Sequence, residues 1–177
     1  MSTFLDRLTG AMCLNAGMFE EIEADSTATR QAMIVVVLSS VAAGIGTLSV
    51  GRFQIETLTL GTLAALIGWI AWASVTYLIG THLLAEPQTR ANLEELLRTT
   101  GFASAPGVLR VIGVVPGFGG SVYLATSIWM LAAMVVAVRQ ALDFTTTGRA
   151  VAVCAAGWVL SLILAVVVGV VFGPTVQ

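Results

Sequence analysis

Arg110 is the charged side chain set deepest in apolar sequence, and its chemistry is that of a fixed cation. A guanidinium at membrane depth binds an anion, pairs with a carboxylate or lines a polar cavity. The plainer use is that Arg110 snorkels from a short helix to the interface, or meets local backbone. Length favours the plainer use, because residues 101–116 make only about 24 Å of α-helix and leave Arg110 in its outer half. No Asp or Glu falls at matching depth in the expected helices, which counts against proton relay and coupled transport.

The other reactive residues are scattered. His82 is the sole histidine. Alone it builds neither a metal site nor a catalytic triad, and an interfacial histidine outweighs an axial ligand to a pigment or haem. Cys13 and Cys154 sit in unrelated contexts and read as small apolar thiols rather than a disulfide. There is no Gly-x-Ser-x-Gly, no His-Glu-x-x-His and no phosphate loop. The reading is a protein without catalysis, cofactor or metal. Trp69, Trp72, Trp129 and Trp158 read as packing or interface anchors. Arg139 and Asp143 stand four apart and pair at a helix exit if that stretch is helical. With Arg149 they make a polar knuckle that, beside residues 86–98, offers a soluble partner a small surface; connecting loops need polar residues in any case.

Composition decides which elements carry these residues. Hydrophobic residues make up 57% of the 177 and charged residues 10%, against about 25% charged in soluble domains. Such a chain cannot cover a water-facing surface. It is expected to be an all-α integral membrane bundle, with room for one domain. The net charge is -2 and every cation is an arginine, with no basic tract for nucleic acid.

Within segment 1–25, residues 3–23 place Phe4, Leu8, Ala11, Met12, Phe19 and Ile22 near helical spacing. That predicts one amphipathic interfacial helix on the membrane or the bundle, interruptible at Gly10 or Gly17. It ends in Glu20, Glu21, Glu23 and Asp25, unlike a secretory signal, and its apolar face must anchor it.

Residues 26–177 are expected to hold five transmembrane helices, at about 31–50, 57–80, 101–116, 119–138 and 149–172. Before the third, Pro87 breaks the chain, and Thr89 caps a short amphipathic helix bearing Leu93, Leu96 and Leu97. Residues 101–120 carry Pro106, Pro116 and six glycines, so irregular backbone is expected there, buried against protein or near an interface. Small residues recur four apart at Ala42/Gly46, Gly61/Ala65, Gly113/Gly117 and Gly169/Gly173. They suit packing within the bundle ahead of a dimer face.

Two stretches resemble a known family. Leu97-Arg-Thr-Thr-Gly-Phe-Ala-Ser-Ala-Pro106 is similar to the Gly-Tyr-x-x-x-Pro segment that enters the third helix of Yip1-domain proteins. Ser127-Ile-Trp-Met, Ala137-Val-Arg-Gln-Ala-Leu-Asp143 and Gly148-Arg-Ala150 resemble the helix 4 exit and helix 5 start of bacterial members. The likeness is best over about 90–170. It implies a five-helix membrane bundle without known catalysis, in which Gly101, Phe102 and Pro106 are pattern positions with a structural role. Eukaryotic relatives bind prenylated small GTPases and one another. This chain lacks their long acidic and aromatic N-terminal region, which counts against small-GTPase binding.

The resulting expectation is a non-enzymatic, Yip1-like inner-membrane protein of bacterial type, acting through association with membrane proteins or itself, or through membrane organisation. The alternatives are an accessory subunit of a larger complex and a small permease or channel. Membrane lipid is the other expected partner. Arg7, Arg30, Arg90, Arg98, Arg139 and Arg149 fall on the N-terminal side of the expected spans, and Arg52 on the other. The positive-inside rule then puts the N-terminus in the cytoplasm and the C-terminus outside. A reporter fused after Gln177 should therefore be active only outside the cytoplasm; cytoplasmic activity would overturn this topology.

Overall fold

The computed structural model describes residues 2–48 and 55–172, and among them every regular element is helical. The order is α1 (Phe4–Met12), α2 (Ala16–Ala24), α3 (Ala28–Gly46), α4 (Ile55–Leu78), α5 (Leu93–Phe102), α6 (Gly119–Ala141) and α7 (Thr147–Phe172). A π-helical turn, Ile79–Leu83, continues α4, and a 3₁₀ helix, Ala105–Val114, follows α5.

The expected single N-terminal helix is instead a hairpin. Thr3 and Asp6 form a capping box on α1, and Asn15 caps α2 by accepting from the Met18 amide. Between them Leu14 takes a left-handed φ of 58° and turns the chain back. Neither glycine named from sequence makes the break; Gly10 instead leaves room for the Met18 side chain. The reversal buries Ala11, Phe19 and Ile22 together with Phe102 in one core cluster. It also lays Arg7 against acids from the other arm. The Arg7 Nη2 lies 2.6 Å from Asp25 and 3.2 Å from Glu21, while Nη1 donates to Gln31 on α3. The Thr27 hydroxyl, and then Arg7, hold the Asp25 carboxyl down at about 2.

The hairpin runs along the bundle. The Gln140 amide donates to Glu20 midway along α2, and the Trp129 Nε1 donates to the Met12 carbonyl near the turn. Those two α6 residues lie about 16 Å apart along a helix. The N-terminal segment therefore follows α6 rather than lying flat across its end.

Among the described residues three helices are long and apolar enough to cross a membrane: Ala28–Gly46, Ile55–Leu83 and Gly119–Ala141; Thr147–Leu160 of α7 is a shorter apolar stretch. Their packing is inverted relative to a water-soluble bundle. Ala32, Ala73, Ala133 and Ala137 are fully buried, while Leu60, Ile67, Leu124 and Ile128 are each at least 60% exposed. Small residues inside allow helices to approach, and large ones outside meet lipid tails, which are as apolar as they are.

The expected α-helix over 101–116 does not form. Leu93–Phe102 is one helix, capped by Asn92 and Glu95 rather than by Thr89. The chain then tightens into the 3₁₀ helix, where Pro106 lacks an N–H. That helix packs mainly against α3 and α6. Gly107 abuts Ser39 and Met130, and Gly46 abuts the Arg110 carbonyl. Of the small-residue pairs, Gly46 and Gly113 meet here; Gly61 and Gly117 face open space, and Gly173 lies outside the described residues. A methyl on Gly46 would strike a backbone oxygen that has nowhere to move. Gly46→Ala should cost about 1–3 kcal/mol of stability, whereas Gly61→Ala should cost nothing and gain up to about 1 kcal/mol from helix propensity. Thermal unfolding in one detergent compares the two, and equal losses would refute the assignment of Gly46 as the packing glycine.

Candidate functional site

Arg110 leaves the 3₁₀ helix toward α6. Its Nη2 donates to Ser127 Oγ at 2.9 Å, its Nε to Thr126 Oγ1 at 3.2 Å, and its Cζ stands 4.3 Å from the centre of the Tyr123 ring. Thr126 is buried and passes its own proton to the Val122 carbonyl at 2.8 Å. Residues 123, 126 and 127 share one face of α6 because three and four positions are one helical turn. The guanidinium thus meets side-chain hydroxyls and a ring rather than local backbone, and no carboxylate of the described residues pairs with it.

Three cavities have Arg110 as a common wall. One of about 260 Å³ is bounded by Gly46, Gly113, Gly119, Gly120 and Tyr123. A second, about 310 Å³, reaches Ser39, Trp69 and Trp72 inside the bundle. The third, about 280 Å³, lies between α6 and α7 and is walled by Trp72, Ser127, Met130, Leu131, Met134 and Trp158. Trp72 Nε1 and Thr76 Oγ1 are buried without hydrogen-bond partners. Trp69, by contrast, donates to the Leu97 carbonyl and to Thr100.

The other residues singled out from sequence have structural places. Gly101 is buried against Ala32 and Trp69, and the buried Phe102 ring lies 6.3 Å from that of Phe4. Pro106 opens the 3₁₀ helix, and Pro116 is exposed in the link to α6. Cys13 and Cys154 are free thiols, and His82 Nδ1 is 2.8 Å from the Thr81 hydroxyl.

The polar knuckle forms with different partners than spacing predicted. α6 ends at Ala141, and Asp143 adopts a left-handed φ of 51°, so the helical i, i+4 geometry is lost and Arg139 does not pair with Asp143. Arg139 instead donates to the Phe144 and Thr145 carbonyls and to Thr147 Oγ1, satisfying acceptors past the helix end. Arg149 pairs with Glu86 at 3.0 Å and reaches the Leu84 and Ala85 carbonyls. Glu86 also accepts the Thr145 amide, the main cause of its lowered pKa. Residue 86 lies in a loop far from 145–149 in sequence, so no local pattern announces this clasp.

Next to the knuckle is a recess of about 450 Å³ lined by Glu20, Glu23, Ala24, Glu95, Arg139, Gln140, Asp143 and Phe144. Its acids come from α2, α5 and the α6 exit, and spacing along the chain could not have joined them. Arg98, itself buried, donates twice to the Glu23 carbonyl and holds that edge in place. Burial first, and then the charges of Asp143 and Glu95, push the Glu23 carboxyl up from 4.5 to about 7.

A carboxyl raised by folding stabilises the native state where it is protonated. Its contribution is complete below 4.5 and is lost as pH rises through about 7. The melting temperature should fall between about pH 5 and about pH 8, and Glu23→Gln should flatten that fall. An unchanged slope in the variant would assign the pH dependence to another group.

No curated protein and no solved structure matches the chain. The Yip1 domain matches residues 16–169, from α2 through most of α7 and across both the Arg110 cavities and the acidic recess. That match covers most of the sequence and includes the GFASAP turn and the helix exits noted above, so the chain belongs to the Yip1-domain family.

Proposed function

We propose that the protein is a non-enzymatic, multi-pass protein of the bacterial inner membrane that works by associating with other membrane proteins. In this reading five segments traverse or enter the bilayer, with the N-terminus cytoplasmic. The third of them is the α5–3₁₀ unit, packed on one side against α3 and α6, and α7 is the fifth.

The observation that carries the proposal is the acidic recess. Four carboxylates from three elements surround a cavity of about 450 Å³ at the polar end of the bundle. Arg7, Arg98, Arg139 and Arg149 are all engaged in contacts of that end, which leaves the recess itself net negative. It suits a basic segment of a partner at the membrane surface, where charge complementarity supplies specificity and encounter rate.

A permease reading has less support. A polar path needs groups converging at mid-depth, yet Ser74 bonds back to the Ile70 carbonyl and Arg110 is engaged on α6. The full chain in a mild detergent should run as a defined oligomer or complex by native mass spectrometry and cross-linking. Glu20→Lys with Asp143→Asn should weaken that complex at least tenfold while leaving the helical content intact. A chain that stays monomeric in liposomes and passes a solute in an Arg110-dependent manner would replace this proposal with the permease.

A further inference from the structure

We propose that the cavities around Arg110 bind one anionic phospholipid, with its phosphodiester on the guanidinium and an acyl chain in the groove between α6 and α7. The site is distinct from the recess. Arg110 packs at Gly46, the far end of α3, while the recess lies beside Ala24, just before α3 begins.

The charge asks for an anion. The guanidinium is half-buried with two neutral hydroxyls and a ring as partners, and no carboxylate of the described residues reaches it. A desolvated cation without a counter-charge is costly, and a phosphate accepts from a guanidinium in the fork geometry that suits both. The cavity on one side of Arg110 is walled by Gly119 and Gly120, at the start of α6, which has no side-chain cap. The absence of side chains there lets a headgroup approach the backbone, and the helix end adds a favourable field.

The other side asks for a hydrocarbon. The groove beyond Arg110 is lined by Trp72, Leu131 and Trp158, and Trp158 is 50% exposed and Leu131 44%, on faces of helices read as membrane-embedded. A lipid therefore enters sideways, without crossing the bundle. Trp72 belongs to the same wall, and its Nε1 is buried without a hydrogen-bond partner, a donor that an ester carbonyl below the phosphate would satisfy after a small turn of the ring. A free phosphate has no use for this groove. A zwitterionic lipid brings its own cation to the phosphodiester, so an amphiphile with a net negative head suits a guanidinium without a carboxylate partner better.

The test uses the delipidated full chain in detergent with three probes: phosphatidylglycerol, phosphatidylcholine with the same chains, and inorganic phosphate. Native mass spectrometry should retain one phosphatidylglycerol per chain with about tenfold preference over phosphatidylcholine. Phosphatidylglycerol should raise the melting temperature, whereas millimolar phosphate should not. Arg110→Gln should bring phosphatidylglycerol down to the level of phosphatidylcholine. Trp72→Phe, which keeps a ring in the wall, should weaken retention about twofold to threefold. Equal retention of the two lipids by the wild-type chain overturns the proposal, as does a phosphate-induced shift matching that of phosphatidylglycerol. So does undiminished phosphatidylglycerol binding by a folded Arg110→Gln. The wild-type comparisons decide the matter even if that variant fails to fold, and Glu20→Lys should leave lipid retention unchanged, which separates this site from the recess.

Discussion

Backbone hydrogen bonding in an apolar surrounding is the constraint from which the rest of the architecture follows. Residues 103–118 leave the α-helical ladder, and a chain in lipid cannot leave it unprotected. The 3₁₀ helix closes its own i to i+3 bonds, and its ends are finished locally: Ser104 donates to the Gly101 carbonyl and the Val115 amide to Ile112. The remaining requirement is enclosure. The α3 face that carries Ser39 and Gly46 supplies it by bringing bare backbone against bare backbone. Enclosing a tight segment this way aims Arg110 sideways at α6, so the irregular backbone and the placement of the charge are one event.

The polar end solves a different problem with the same residue type. There, arginines act as staples. Arg7 joins both arms of the hairpin to α3, Arg98 joins α5 to α2, Arg139 finishes α6, and Arg149 ties α7 to the loop after α4. Arginine suits this use because its planar fork spreads five donors over separated carbonyl and carboxylate oxygens, where a lysine offers three on a single atom. Burying Arg7 is tolerable only because Asp25 and Glu21 come with it. Its removal would leave two acids facing each other without a cation.

Membrane character, the all-helical class and three of the long helices were legible because they rest on composition and run length. The family likeness was legible for a related reason: GFASAP and the α6 exit are contiguous motifs. The N-terminal hairpin was not, since Leu14 carries the turn and a leucine with positive φ has no sequence signature. The Arg139–Asp143 pair failed because its spacing presumed a helix through residue 143, two residues past the end of α6. The recess and the Glu86 clasp were out of reach for a third reason. Each joins residues more than fifty positions apart, through packing that no local period encodes. The tight 103–118 stretch lay between these cases: its glycines and prolines signalled irregularity, but only its neighbours decide which irregular form is stable.

The contrast among the arginines bears most directly on what this membrane protein does. Arg7, Arg98, Arg139 and Arg149 at the polar end are each matched by a carboxylate or by backbone carbonyls, and so are spent on the fold. Arg110 differs in kind, engaged by two neutral hydroxyls, of which Thr126 is itself bonded to its own helix, and by a ring that is a weak partner for a cation. A charge needed only to hold the 3₁₀ helix to α6 would be better replaced by an apolar side chain, since exchanging a poorly matched buried charge for packing generally stabilises. Retaining a guanidinium here, at the junction of a glycine-walled notch and an apolar groove, is economical only if something negative shares the site. The unpartnered indole of Trp72 in the same wall makes the same argument from a second atom. A cation without a counter-charge and a buried donor without a partner, both on side chains of one cavity wall, are better explained by a ligand than by two independent imperfections in packing.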